Sequence, residues 1–102
     1  MKKEQLTNKQ TRFLKSLAHS LKPVVRVGQH GFSDAVLAEL NIALDHHELV
    51  KVKIAADDRE ARHTLLEQMC EQSSALLIQR IGSIAVLFKQ NPENPVIDLK
   101  QA

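Results

Sequence analysis

The chain has no tryptophan and no tyrosine, and its three phenylalanines, Phe13, Phe32 and Phe88, all fall on apolar patterns. A stacking platform of the RRM kind, which presents aromatics on an exposed sheet, is therefore not expected. Cysteine is nearly absent as well. The lone Cys70 excludes an intramolecular disulfide, and such sparing use points to a reducing, cytoplasmic home. No apolar run approaches the roughly 20 residues of a membrane helix. The opening MKKEQLTNKQ lacks the apolar block of a signal peptide. Glycine is scarce, at three residues; no Walker A sequence occurs, and two glycines separated by two residues are not a dinucleotide fingerprint. His47-Glu48 begins like a zinc-protease motif, but Lys51 stands where the second histidine belongs.

What is present is one ordinary domain. The chain has 102 residues, 43% hydrophobic and 25% charged, with neither repeat nor low-complexity linker. Residues 1–102 are expected to form a single unit with a core at about 3–90 and an irregular tail. The net charge of +2 hides an asymmetry. Residues 1–26 carry Lys2, Lys3, Lys9, Arg12, Lys15, Lys22 and Arg26 against Glu4 alone, and the remainder is net acidic. One end of the molecule is thus suited to a polyanion.

Thr7 followed by Gln10 makes a capping box, and Phe13, Leu14, Leu17, Ala18 and Leu21 recur at helical spacing. With Pro23 as the stop, the first helix is expected over about 8–21. Val24–Val27 reads as a strand halted by Gly28. Ser33 caps a second helix running to about His46, with Phe32 and Leu37 spaced as a hydrophobic staple. Leu49–Ile54 alternates as a strand, with Lys51 and Lys53 on one face. Asp57 or Asp58 caps a third helix whose buried stripe is Ala61, Leu65, Leu66, Met69 and Cys70. Leu76–Ile81 and Ile84–Phe88 form a hairpin through Gly82-Ser83, a type II′ pattern. Simple alternation places Leu77, Ile81, Ile84, Val86 and Phe88 on one face, and Leu76, Ile78, Ala85 and Leu87 on the other. The order α-β-α-β-α-β-β predicts a small α/β protein with a mixed sheet and crossovers of fixed hand.

No catalytic set emerges. Cys70 lies on an apolar stripe, Asp57 and Asp58 are explained by capping, and His46 and His47 diverge on a helix and suit its C-terminal end. Neither catalytic residues nor a metal, a cofactor or a small-molecule substrate is expected. The segment that attracts attention is Gly28-Gln29-His30-Gly31, between a strand and a capped helix. There backbone N–H groups can converge on an anion, and glycine lets a phosphate approach closely. The loop resembles in logic the GxxG loop with which KH domains clamp nucleotide backbones. Lys22 and Arg26 lie just upstream, and Lys9, Arg12 and Lys15 make one side of the first helix basic.

The run LKPVVRVGQHGFSDAVLAELNIALDHHELVKVKI, with the later IQRIGSIAVLFKQ, resembles the CRM domain, closest to its stand-alone bacterial YhbY-type members. The resemblance spans roughly residues 3–90. It implies a four-stranded mixed sheet packed with helices, similar to the C-terminal domain of translation initiation factor three. It also implies RNA binding and association with precursors of the large ribosomal subunit. The family's glycine loop falls on Gly28 and Gly31, and the intervening Gln29 and His30 are neutral where many family loops carry a lysine.

The leading expectation is a non-enzymatic, monomeric RNA-binding protein. Its site comprises Gly28, Gln29, His30 and Gly31 with Lys9, Arg12, Lys15, Lys22, Arg26, Lys51 and Lys53, held to the RNA by phosphate contacts that weaken steeply with salt. The alternative is a protein-interaction module whose acidic groups (Asp34, Glu39, Asp45, Glu48 and the 57–60 run) meet a basic ribosomal protein. A small enzyme acting on a phosphorylated metabolite, and sequence-independent DNA binding, also stay open. The residues alone reach a polyanion-binding α/β domain, and the ribosome enters only through the resemblance.

Overall fold

Thr7 opens the first helix as its spacing predicts. Its side chain accepts the Gln10 backbone N–H at 3.0 Å, and its own N–H donates to Gln10 Oε1 at 3.0 Å. The computed structural model describes residues 6–28, 31–56 and 58–101. Its elements are α1 (Asn8–Ala18), β1 (Val25–Val27), α2 (Asp34–His47), β2 (Leu49–Ile54), α3 (Arg59–Ser73), β3 (Leu76–Ile81) and β4 (Ile84–Phe88), followed by a 3₁₀ turn at Leu99–Gln101.

The expected order holds, with shifts at the boundaries. Helix α1 stops at Ala18 rather than Leu21, because His19 N–H bonds to Ser16 O and Leu21 N–H to Ala18 O. These three-residue spacings tighten the chain out of α-helix before Pro23 is reached. Val24 precedes β1, although its N–H donates to Lys51 O at 3.0 Å. Asp58 caps α3 through Glu60 N–H, and Asp57 lies outside the described residues. Ala61, expected in the core, is exposed, whereas Ser73 is buried. Its hydroxyl donates to Met69 O and accepts Ala75 N–H, which satisfies it where Ser74 turns left-handed at φ +62°.

The sheet order is β1-β2-β4-β3. Strands β1 and β2 run parallel, and the β2–β4 and β4–β3 pairs are antiparallel. One face is covered by α2 and α3, where Leu40, Leu44, Leu66 and Met69 pack on Val25, Val27, Val50, Val52, Ile54, Ala85 and Leu87. On the other face α1 lays Leu14 and Ala18 against Leu49, Ile78, Val86 and Phe88. The hairpin turn has Gly82 at φ +59°, and among the described residues the non-glycine ones with positive φ are Glu48 and Ser74. Positive φ at the first central residue alone is the II′ pattern.

The hairpin faces differ from simple alternation. The register passes from Leu77↔Leu87 to Gln79↔Val86, leaving Ile78 as an extra residue in β3. Two residues then oppose one, and the side-chain phase flips. Ile78 and Leu76 therefore join Val86 and Phe88 in the α1-side cluster, and Leu77 is carried to the other face with Leu87.

The tail is mostly irregular in backbone but is tied down. Glu48, wholly buried at 0% exposure, lies immediately after α2 with φ +62°. Its carboxylate accepts the N–H of Asn91 at 2.6 Å, Val96 at 3.0 Å and Ile97 at 2.7 Å. Ile97 and Leu99 pack on the α1-side cluster as a result. An acidic docking surface consequently loses Glu48, while Asp34, Glu39, Asp45, Asp58 and Glu60 are exposed.

Candidate functional site

The loop at 28–31 leaves β1 at the end of the sheet where three connections meet. Ala55 N–H donates to Val27 O and Ile54 N–H to Ser83 O, both at 2.8 Å, so the loop, the β2–α3 connection and the Gly82-Ser83 turn gather there. Gly31 N–H closes a turn onto Gly28 O at 3.0 Å. The two glycines have different reasons to be glycine. Gly31 has φ +89°, and a Cβ there would meet Leu65 Cδ2 at an ordinary 3.9 Å, so the backbone torsion imposes the residue. A Cβ on Gly28 would meet nothing within 4 Å, so its bareness leaves open space instead. Gln29 and His30 lie outside the described residues.

Behind the loop, Ser33 caps α2 by accepting Val36 N–H at 3.3 Å. The first turn of a helix has N–H groups without intrahelical partners and carries partial positive charge. Asp34 sits in that turn and offsets part of this charge, which shifts the attraction for an anion toward the neighbouring cations.

Those cations lie on the α1-side face of the sheet. In the parallel register Arg26 stands beside Lys53, and alternation along β2 puts Lys51 on the same face. Arg26 is two residues from Gly28, or about 7 Å along a strand. Arg26 and Lys53 are exposed, and half-buried Lys51 donates through Nζ to Leu21 O at 3.1 Å. That bond fixes the ammonium and leaves it two further donors. From α1, Lys15 and His19 border the same groove as Lys51. Arg12, one turn before Lys15, continues that stripe. Lys22 is exposed in the α1–β1 connection. Lys9, six residues before Lys15, is turned from it by about a third of a revolution, which makes it the most peripheral of the expected set.

Two groups were not singled out by their sequence pattern. Arg62 donates through Nη1 to Ala56 O at 2.8 Å, and its buried Nε has no partner among the described residues. It lies one turn before Leu65, whose Cδ2 a Cβ on Gly31 would meet, and so braces the connection beside the loop. The other is a groove of about 580 Å³ between the end of α1 and the hairpin, floored by Ala18, Ile81, Ile84 and Val86. Its one sequence signal is the pair of isoleucines, Ile81 and Ile84, flanking the Gly82-Ser83 turn.

Exposed His46 and His47 close α2 with ring centroids 6.3 Å apart. No cluster of three or more metal-ligating side chains occurs among the described residues. Cys70 is half-buried against the α2–α3 core. No helix among the described residues is long and apolar enough to cross a membrane.

Residues 6–89 match the family model of the CRS1/YhbY (CRM) domain. The chain belongs to that family. The match takes in all three α-helices and all four strands, and the CRM domain here is the three-helix, four-stranded mixed sheet just described. Among its relatives, the protein named Probable RNA-binding protein PA4753 of Pseudomonas aeruginosa is 46% identical over 88 residues, covering 86% of this chain and 85% of its own. A Haemophilus influenzae protein named RNA-binding protein is likewise 46% identical over 88 residues, covering 86% and 89%. Probable RNA-binding protein YqeI of Bacillus subtilis is 38% identical over 94 residues, covering 92% and 98%. The solution structure of SAV1595 from Staphylococcus aureus superposes with a TM-score of 0.77 at 32% identity, covering 92% of this chain and 98% of that one. These CRM relatives are named for binding RNA, not for catalysis.

Proposed function

We propose that this CRM domain is a non-enzymatic RNA-binding protein that holds the RNA backbone between the 28–31 loop and the basic face beside it. In this reading it acts as a cytoplasmic monomer on precursors of the large ribosomal subunit. The observation that carries the reading is the Arg26–Lys53 pairing with Lys51 on one face of the sheet, two residues upstream of the glycine loop. Phosphates lie along Arg26, Lys51, Lys53 and Lys15, and the bare Gly28 lets the strand come close to backbone donors. Arg12, Lys22 and Lys9 extend the positive field and raise the rate of encounter.

Phosphate contacts position a strand without reading its sequence, and each neutralised phosphate adds about 0.7 to the salt slope for a single strand. The test has two parts. In titration of a single-stranded RNA, Gly28→Asp and a Lys9/Arg12/Lys15 triple alanine variant each weaken binding while the fold survives. In a sucrose gradient of cell extract the protein sediments with a large-subunit precursor and is released by mild RNase. Unchanged affinity in both variants rejects the site. Confinement to the top of the gradient rejects the ribosomal role, and association that survives RNase favours contact with a basic ribosomal protein.

A further inference from the structure

We propose that the groove between the end of α1 and the β3–β4 hairpin receives one unpaired base of the bound strand, making the domain a reader of single-stranded RNA. The inference rests on the RNA-binding reading above and adds to it the structural class of the RNA. A phosphate-only surface has no use for an apolar floor, yet Ile81 is 65% exposed beside half-buried Ile84 and faces that groove. The rim bears Lys15, His19 and Lys51, and no acidic side chain among the described residues lines it. That combination, an apolar floor under a positive rim, matches a nucleotide with its base inward and its phosphate outward. The volume lies within the roughly 300–1,000 Å³ of small-ligand sites.

The polar group on the groove wall supplies a second observation. In the register set by the Gly82-Ser83 turn, Gln79 stands opposite Val86 and lines the groove. The Gln79 amide offers both donor and acceptor, so it can pair with the edge of any base. A base within a duplex is stacked and paired and cannot enter. Unstacked bases of loops and ends can.

The test uses a short single-stranded RNA and a fully paired, blunt-ended duplex of the same length, titrated under one salt condition. The single strand is expected to bind about fivefold more tightly or better, the gain from about 1 kcal/mol of base contact. Irradiation of the strand carrying 4-thiouridine should place adducts within residues 15–19 or 79–86, the two walls of the groove, and an Ile81→Ala/Ile84→Ala variant should bring the preference close to unity. Equal binding of the two RNAs, or adducts confined to other segments, overturns the groove while leaving RNA binding intact. No binding of either RNA overturns the groove and the functional reading together. Should the double variant not fold, the two titrations and the adduct map on the unaltered protein still decide.

Discussion

Replacing Glu48 by alanine should release the tail and cost the domain a large part of its stability. The side chain is wholly buried, and its carboxylate accepts three backbone N–H groups, from Asn91, Val96 and Ile97, at 2.6 to 3.0 Å. A hydrogen bond to a charged group contributes about 1.5–3 kcal/mol, and a buried donor left unmade costs about 1–3 kcal/mol. The full sum is not reached, because residues 91–97 can swing away and give their N–H groups to water. The loss is then the covering of the α1-side cluster by Ile97 and Leu99 together with the ordered bonds, in all about 3 kcal/mol. For a domain of this size that lowers Tm by about 12–24 °C. Thermal unfolding followed by circular dichroism reads the effect, and hydrogen exchange at residues 91–101 reads its location. A second variant separates side chain from backbone. Glu48 has φ +62° and ψ −42°, a conformation that costs a residue with a Cβ about 1–3 kcal/mol more than glycine. Glu48→Gly should therefore be more stable than Glu48→Ala by about 1 kcal/mol or more, although both lose the carboxylate. A Glu48→Ala protein within about 0.5 kcal/mol of the parent, in the range of ordinary surface substitutions, would refute the anchoring role. Equal stability of the alanine and glycine variants would refute the backbone argument.

Other substitutions test the site and its supports. Gly31→Ala, at φ +89°, should cost about 1–2 kcal/mol in chemical denaturation, and a cost near zero would mean the turn relaxes to another torsion. Gly28→Asp, facing open space, should leave Tm almost unmoved while weakening RNA binding, so parallel loss of both would reassign Gly28 to folding. An Arg26→Ala/Lys53→Ala variant should lower the slope of log affinity against log salt by about 1–1.5, and an unchanged slope would place the phosphates elsewhere. Leu14→Ala, at the centre of the α1 contact with the sheet, should destabilise by about 2–5 kcal/mol, and a much smaller loss would mean that α1 is not an integral layer.

The helices and strands were legible because their signals are local. The Thr7–Gln10 box, the Ser33 cap, the alternation of Leu49–Ile54 and the Gly82-Ser83 turn each act within a few residues, and each is found as its spacing predicts. The end of α1 was misplaced by three residues because Pro23 is only the outer limit of a helix, and the competing turn at residues 16–21 has no strong sequence mark. Cations were equally easy to find and harder to place. Arg26, Lys51 and Lys53 share a face through one parallel pairing, while Lys9 turns away from Lys15 on the same helix.

Composition and periodicity by themselves determined an α/β chain of seven elements, a basic first quarter and a glycine loop at a strand-to-helix junction, because these depend on neighbours no more than about a helical turn away. Only the tertiary structure decided which side of the hairpin carries Leu76, Leu77 and Ile78, since a single extra residue in β3 reverses the phase of that end of the strand and is specified by pairing with β4. It alone decided that Glu48 is an internal anchor, since its three partners lie 43 to 49 residues away. It alone set an apolar floor beneath Lys15 and Lys51, because that groove exists only where α1 crosses a sheet whose strands come from distant parts of the chain.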